Sequence, residues 1–325
     1  MRSATERAAG RAEQRATGTA TDLAVDVRGL IKRYGEVTAV DGVDLAIRKG
    51  EVFGILGPNG AGKSTTVEIL QGNRTRDGGQ VRVLGSDPGT AGRGWRSRVG
   101  VVWQDESAPA ELTVRETVRH FARYYPRPRD PEEVIALVGL EAKAGSRVKA
   151  LSGGQRRRLD VALGVIGGPD LLLLDEPTTG FDPAARRQFW ELIRRLADEG
   201  TTIVLTTHYL EEAETLADRL AVIAKGRVVA EGEPAELRRR YGSDATVQWQ
   251  ADDGSPRAER TTTPTRTVAE LARRFDGEIP GLRVSRPTLE DVYLRLTGQD
   301  GDAGALSGQV TDGGAAAPTG QEARS

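Results

Sequence analysis

Gly57-Pro58-Asn59-Gly60-Ala61-Gly62-Lys63-Ser64 fits the pattern G-x-x-x-x-G-K-[ST], whose chemistry is the capture of phosphate. The glycines let backbone N–H groups converge on phosphate oxygens at the positive end of a helix. Lys63 supplies a point charge for the outer phosphates, and Ser64 a hydroxyl for Mg²⁺. Farther along, Leu171-Leu172-Leu173-Leu174 runs into Asp175-Glu176, an apolar strand that ends in two carboxylates. Asp175 then emerges at a sheet edge within reach of a hydrated metal, and its neighbour Glu176 is placed to polarise water. His208 follows another apolar run, where it reads on its own as an ordinary hydrogen-bonded histidine.

Such groups need a scaffold that gathers distant strand ends. Val52–Leu56, Val99–Trp103, Leu171–Leu174 and Thr202–Leu205 are short apolar runs suited to buried strands, and Val43-Asp44-Leu45-Ala46-Ile47 alternates as a half-buried strand does. Helical spacing lies between them. Leu159, Ala162, Leu163 and Ile166 follow Ser152 at i, i+3, i+4, i+7, and Phe189, Leu192, Ile193 and Leu196 repeat it after Asp182-Pro183. Strands alternating with helices predict a largely parallel sheet covered by helices, with the phosphate loop between a buried strand and a helix, as its mechanism requires.

Thr113 to Gly145 holds two helical patterns with no strand between them, which predicts a helical insertion, about 105–165 with its flanks. Thr113 and Glu116 make a capping box, so Glu116 is a cap and not a catalytic carboxylate. Gly153 and Gly154 open a helix whose free N–H groups suit an anion, and Asp182 before Pro183 is a sound N-cap. Arg156, Arg157 and Arg158 read as a solvated helix face.

The chain has 325 residues, more than one ordinary domain and fewer than three. With 38% hydrophobic and 29% charged residues it can bury a core, so disorder throughout is excluded. Its 46 basic and 47 acidic residues leave a net charge of −1, which argues against nucleic-acid binding that relies on net charge. The absence of cysteine removes disulfide and thiolate chemistry, and two histidines do not make a histidine-only metal site. No apolar run approaches the roughly 18 to 20 residues that span a bilayer, and residues 1–20 lack the apolar segment of a secretory signal. A cytoplasmic protein is the expectation. Residues 1–21 and 298–325 read as disordered tails around a main domain over 22–240 and a small accessory domain over 241–297. In the latter, the polar stretch Ala251–Thr267 reads as a linker or loose unit, and Thr288 caps a helix whose Leu289, Val292, Tyr293 and Leu296 share a face.

Leu151-Ser152-Gly153-Gly154-Gln155, just upstream of the Asp-Glu strand, resembles the signature sequence of ATP-binding cassette (ABC) ATPases. The resemblance covers residues 22–240 motif by motif. It implies that Tyr34 in Arg33-Tyr34-Gly35 stacks on adenine, that Gln104 is the Q-loop glutamine, that Asp182 is the D-loop aspartate and that His208 is the switch histidine. Phe181 stands where the family more often has Leu, which leaves the chemistry untouched. Pro287 to Gly298 is similar to the C-terminal helix of daunorubicin-resistance-type ATPases, which drive ABC-2 type exporters, and Thr206-Thr207-His208-Tyr209-Leu210-Glu211-Glu212-Ala213 points the same way.

The resemblance implies an α/β P-loop NTPase of ABC type. Its expected parts are a mainly parallel sheet, an antiparallel β subdomain, a helical insertion and a small C-terminal α+β domain. ATP and Mg²⁺ are the implied cofactors, held by Gly57 to Thr65 with Ser64, Gln104 and Asp175 on the metal, Glu176 as general base and His208 on the γ-phosphate. Each ATP would lie between one chain's P-loop and the partner's Ser152–Gln155 in a head-to-tail homodimer. A separate ABC-2 type permease would supply the pore, docked on the surface from Gln104 to Gly145, with the ATPase on the cytoplasmic side of the membrane. The alternative is an ABC ATPase acting on ribosomes or nucleic acid, or a non-hydrolysing nucleotide sensor. One cassette per chain, no room for a coiled coil between Lys63 and Leu151, and an intact Glu176 weigh against these, and the expected partners include no nucleic acid.

Overall fold

The computed structural model describes residues 22–103, 111–242, 245–275 and 277–298. Gln104, the expected tail 1–21 and the expected tail 298–325 apart from Gly298, which caps the last helix, lie outside the described residues. In chain order the strands are β1 (Leu23–Tyr34), β2 (Val37–Arg48), β3 (Val52–Leu56), β4 (Gly78–Val83), β5 (Val99–Val102), β6 (Leu171–Asp175), β7 (Thr202–Thr207), β8 (Arg219–Ala224), β9 (Arg227–Gly232), β10 (Ala245–Gln250), β11 (Pro256–Thr261) and β12 (Arg283–Ser285). The helices are α1 (Lys63–Leu70), α2 (Arg93–Arg96), α3 (Val114–Ala122), α4 (Pro131–Leu137), α5 (Gly153–Val165), α6 (Pro183–Asp198), α7 (Leu210–Leu216), α8 (Pro234–Tyr241), α9 (Pro264–Arg274) and α10 (Leu289–Thr297).

The central sheet runs β5-β6-β7-β3-β8-β9, parallel except for the antiparallel edge strand β9. Its inner strands are apolar on both faces because both are covered. Leu172, Leu174, Ile203 and Leu205 point into a core shared with α3, α4, α5 and α6, while Leu171, Leu173, Val204, Phe53 and Ile55 point into a second core. That second core is closed by the antiparallel sheet β2-β1-β4, whose Val43, Leu45 and Ile47 face inward and whose Asp44 and Ala46 face water. The order of the sheet matters for the site. β7 lies between β6 and β3, so the loops leaving the carboxyl ends of three adjacent strands meet at one edge.

The Thr113–Glu116 capping box forms as the spacing requires: Glu116 N–H donates to Thr113 Oγ1 and Thr113 N–H donates to Glu116 Oε2. Of the two readings of the polar stretch Ala251–Thr267, linker or loose unit, the structure has the second: after a turn, β11 pairs along its whole length with β10, its exposed side chains leaving the backbone ladder to hold it, and α9 follows. Beside the small sheet β11-β10-β12 the core is the cluster of Val247, Leu271 and Ile279, to which α9 contributes Leu271. By contrast α10 turns away from it. Leu289 and Val292 are buried against Leu56, Leu220, Val222 and Leu237 on the flank of the central sheet, with Tyr293 and Leu296 packed beside them.

Candidate active site

The phosphate loop leaves β3, whose five residues are all buried, and enters α1 at Gly62. Two of its glycines have no substitute. Gly62 sits at φ 100°, and a Cβ there would lie 2.3 Å from the Ala39 carbonyl oxygen; at Gly57 it would lie 2.4 Å from the carbonyl oxygen of Ile223. Thr66 Oγ1 donates to Gly62 O at 2.8 Å and fixes the first turn. Lys63 is buried, and its ammonium donates to the carbonyls of Gly57 at 2.9 Å and Pro58 at 3.2 Å, so its tip is bent back over the loop it closes.

Asp175 and Glu176 leave β6 beside that loop. Ser64 Oγ donates to Asp175 Oδ1 at 3.2 Å, which puts a hydroxyl and a carboxylate together. Thr206, paired with Asp175 across β6 and β7, donates to the same Oδ1 and accepts the Glu176 N–H at 3.0 Å. Glu176 Oε1 lies 3.4 Å from Lys63 Nζ, and its other oxygen lies 3.2 Å from His208 Nδ1. The histidine contact is one of distance and not an aligned hydrogen bond, for Nδ1 is buried without a hydrogen-bond partner. Glu176 itself has φ 43°, a left-handed conformation that costs a non-glycine residue about 1–3 kcal/mol and persists only where its surroundings over-determine it. Lys63, Ser64, Asp175, Glu176 and His208, from three strand ends, therefore meet at one edge of the sheet.

Other expected site residues stand apart from this group. Ser152 caps α5 through a full capping box with Gln155, both N–H groups of the box being satisfied locally. Ser152 and Gly153 are exposed, and a Cβ on Gly153 would meet nothing within 4 Å. Asp182 Oδ1 accepts the N–H groups of Ala184 and Ala185, each at 2.9 Å, as an N-cap before Pro183 should. Tyr34 is 41% exposed, with the Arg74 guanidinium 5.3 Å from its ring centre. Asn59, Gly60 and Ser64 are exposed at the loop's outer side, while Ala61 is buried, Pro58 and Thr65 half-buried, and Gly154 and Gln155 half-buried at the start of α5.

Sequence reasoning missed three residues. Arg157 is no part of a solvated face: it is 8% exposed, with Nε donating to Pro177 O at 3.1 Å, Nη2 to Asp175 O at 3.0 Å and Nη1 to Trp103 O. The signal was its place at the head of the row Arg157, Val161, Val165, four residues apart on a face buried throughout. Thr206 could have been found as a polar residue closing an apolar strand. Glu212 is fully buried in α7, where the Trp190 indole donates to Oε1 at 3.4 Å and Oε2 has no hydrogen-bond partner. Burial pushes its carboxyl above the usual range, countered in part by the nearby Thr207 and Thr178 hydroxyls, the Trp190 indole and Arg186.

Among known proteins, the sequence pattern of the ABC transporter family matches residues 40–179. The Nod factor export ATP-binding protein I of Ralstonia nicotianae is 44% identical over 304 residues, covering 85% of this chain and 94% of that protein. The daunorubicin/doxorubicin resistance ATP-binding protein DrrA of Streptomyces peucetius is 40% identical over 311 residues, covering 86% and 94%. Of solved structures, cbiO1 from Clostridium perfringens, part of the ABC transporter complex cbiONQ, superposes with a TM-score of 0.62 at 28% identity over 67% of this chain and 92% of its own. A dimeric ATP-binding cassette in a post-hydrolysis state, bound to ADP and Pi, superposes with a TM-score of 0.58 at 26% identity over 64% of this chain and 98% of its own. A phosphate-loop sequence, an Asp-Glu strand end and His208 on one sheet edge, joined to likeness over most of the chain, lead to one conclusion: the chain belongs to the ABC transporter family of ATP-binding proteins, as an ATP-hydrolysing subunit of the daunorubicin-resistance type.

Proposed function

We propose that this chain powers an ABC-2 type exporter as a head-to-tail homodimer on the cytoplasmic side of the cell membrane, driving a drug-like or lipid-like substrate through a separate permease. The observation that carries the exporter reading is the reach of the likeness. Relatives named for Nod factor export and for daunorubicin/doxorubicin resistance match over 85% and 86% of the chain, beyond the share that isolated cassettes cover. No helix among the described residues is long and apolar enough to cross a membrane.

In this reading the amides of Gly57 to Thr65 and the Lys63 ammonium hold the phosphates of ATP, and Tyr34 stacks on adenine. Glu176 takes the proton of the attacking water on its carboxylate, and His208 orients against the γ-phosphate from the opposite side of that carboxylate. The hydroxyl of Ser64 and the carboxylate of Asp175 are hard oxygen donors 3.2 Å apart and fit Mg²⁺, with Gln104 as a third ligand. Mg²⁺ would neutralise charge developing on the transferred phosphoryl group. Ser152 to Gln155, presented outward at the N-terminus of α5, would meet the ATP of the partner subunit, and Asp182 would lie at the same interface.

The test is co-expression with a many-span membrane protein encoded beside this chain, followed by membrane fractionation. The chain should sediment with membranes when the permease is present and remain in the supernatant when it is absent. Recovery in the supernatant in both cases would overturn the exporter reading.

A further inference from the structure

Arg157 carries a buried cation to which, among the described residues, no carboxylate is bonded. Burial holds its guanidinium below the usual arginine range, with Asp160, Asp175 and Glu212 acting against that at a distance. A charge so placed must be justified by what its donors hold. Two of its three acceptors flank one residue: the carbonyl of Asp175 precedes Glu176, and the carbonyl of Pro177 follows it. The third, the carbonyl of Trp103, fixes the end of the β5 segment. Between the two flanking carbonyls Glu176 is held in its left-handed conformation, and its own N–H is held by Thr206 Oγ1 at 3.0 Å. Strain of that kind survives only when neighbouring bonds leave the backbone no alternative. Arg157 and Thr206 supply those bonds.

We propose that Arg157 is a positioning residue for Glu176. Its fork grips the carbonyls of Asp175 and Pro177, the residues on either side of Glu176, and so aims the carboxylate at the water it deprotonates. Because Arg157 stands on the helix that begins with Ser152 to Gln155, the aim of the base depends on the seat of that helix. A shift of α5 when its N-terminus engages a partner's nucleotide would thus be felt at the base of its own subunit. The proposal rests on the reading of Glu176 as general base.

The experiment is a double-mutant cycle on the full-length chain: Arg157→Met and Arg157→Lys, each in the wild-type and the Glu176→Gln background. Single-turnover ATP hydrolysis, ATP affinity and thermal unfolding are read for every variant. In the wild-type background Arg157→Met should lower kcat by roughly 10- to 100-fold, the scale of a misaimed catalytic group, with ATP affinity changed less than about twofold. Arg157→Lys, which keeps the charge but loses the fork, should recover part of that loss, and it decides the cycle if the methionine variant does not fold. In the Glu176→Gln background either substitution should change the residual rate by less than about twofold, because there is no base left to aim. Equal fold-losses in both backgrounds, or a fall in ATP affinity that tracks kcat, would overturn the proposal and reduce Arg157 to packing. Near-normal hydrolysis by Glu176→Gln alone would instead overturn the assignment of the base, a separate failure that the same cycle reveals.

Discussion

The Lys63 ammonium stands 3.4 Å from Glu176 Oε1, with the two side chains 4% and 12% exposed, so the cation proposed to hold phosphate and the proposed base are in contact inside one site. Removing one member of a buried ion pair strands the other. Lys63→Ala should raise the dissociation constant for ATP by roughly 10- to 100-fold, the worth of a hydrogen bond between ions. Equilibrium binding of a fluorescent ATP analogue checks this, and unchanged affinity would contradict the assignment of Gly57 to Ser64.

Glu176→Gln preserves shape and the contacts of a neutral acceptor while abolishing the base. Turnover should fall by roughly 10² to 10⁴, the range that general-base catalysis supplies, while ATP still binds. Phosphate release measured at saturating ATP decides it, and near-normal release sinks the role.

Most of the sheet and the chemical residues were legible in the sequence because each has a strong local cause. Leu171 to Leu174 has the length and unbroken apolarity suited to a strand buried on both faces, and Gly57 to Ser64 carries its loop geometry in its glycines. What stayed hidden depends on contacts between distant segments. Arg157 looks like one arginine of three until the carbonyls of Trp103, Asp175 and Pro177 are brought to it, 18 to 54 residues away. The terminal helix likewise reads as the cap of a nearby small unit, and only the fold shows that Val292 finds its apolar partners on β8 and α8. Polar Pro256 to Thr261 gives no apolar alternation, since its strand is fixed by backbone pairing alone.

Glu212 should make stability depend on pH. Its carboxyl is raised above the ordinary value mainly by burial, so the folded state binds its proton more tightly than the unfolded state does. The cost of ionising it is absent below the ordinary carboxylate range, grows as pH rises through the window up to the raised value, and is fully present above it. Glu212→Gln, which keeps an acceptor for the Trp190 indole, should therefore gain stability relative to the wild type as pH rises from acid to neutral. Thermal unfolding of both across that range is the check, and a difference independent of pH would contradict it.

Thr288 Oγ1 accepts the Asp291 N–H, and Asp291 returns the bond to the Thr288 N–H at 2.7 Å, closing the N-terminus of α10. Thr288→Ala should destabilise the chain by about 0.5–2 kcal/mol, the usual worth of a threonine cap. Denaturant unfolding measures it, and an unchanged midpoint would mean that α10 contributes nothing to the stability of the central sheet it packs on.

The central claim is that one ATP is shared by two chains, and crosslinking tests it most directly. The chain has no cysteine, so thiols introduced by Asn59→Cys in one preparation and Ser152→Cys in another are the only ones in the mixture. Both variants also carry Glu176→Gln, which holds ATP without turning it over. Asn59 lies on the exposed rim of the phosphate loop, and Ser152 on the exposed start of α5. A head-to-tail dimer predicts a crosslink between the two kinds of chain that forms with ATP and not without it. A crosslink that nucleotide never promotes, in the isolated subunit or with its permease, would contradict the shared site.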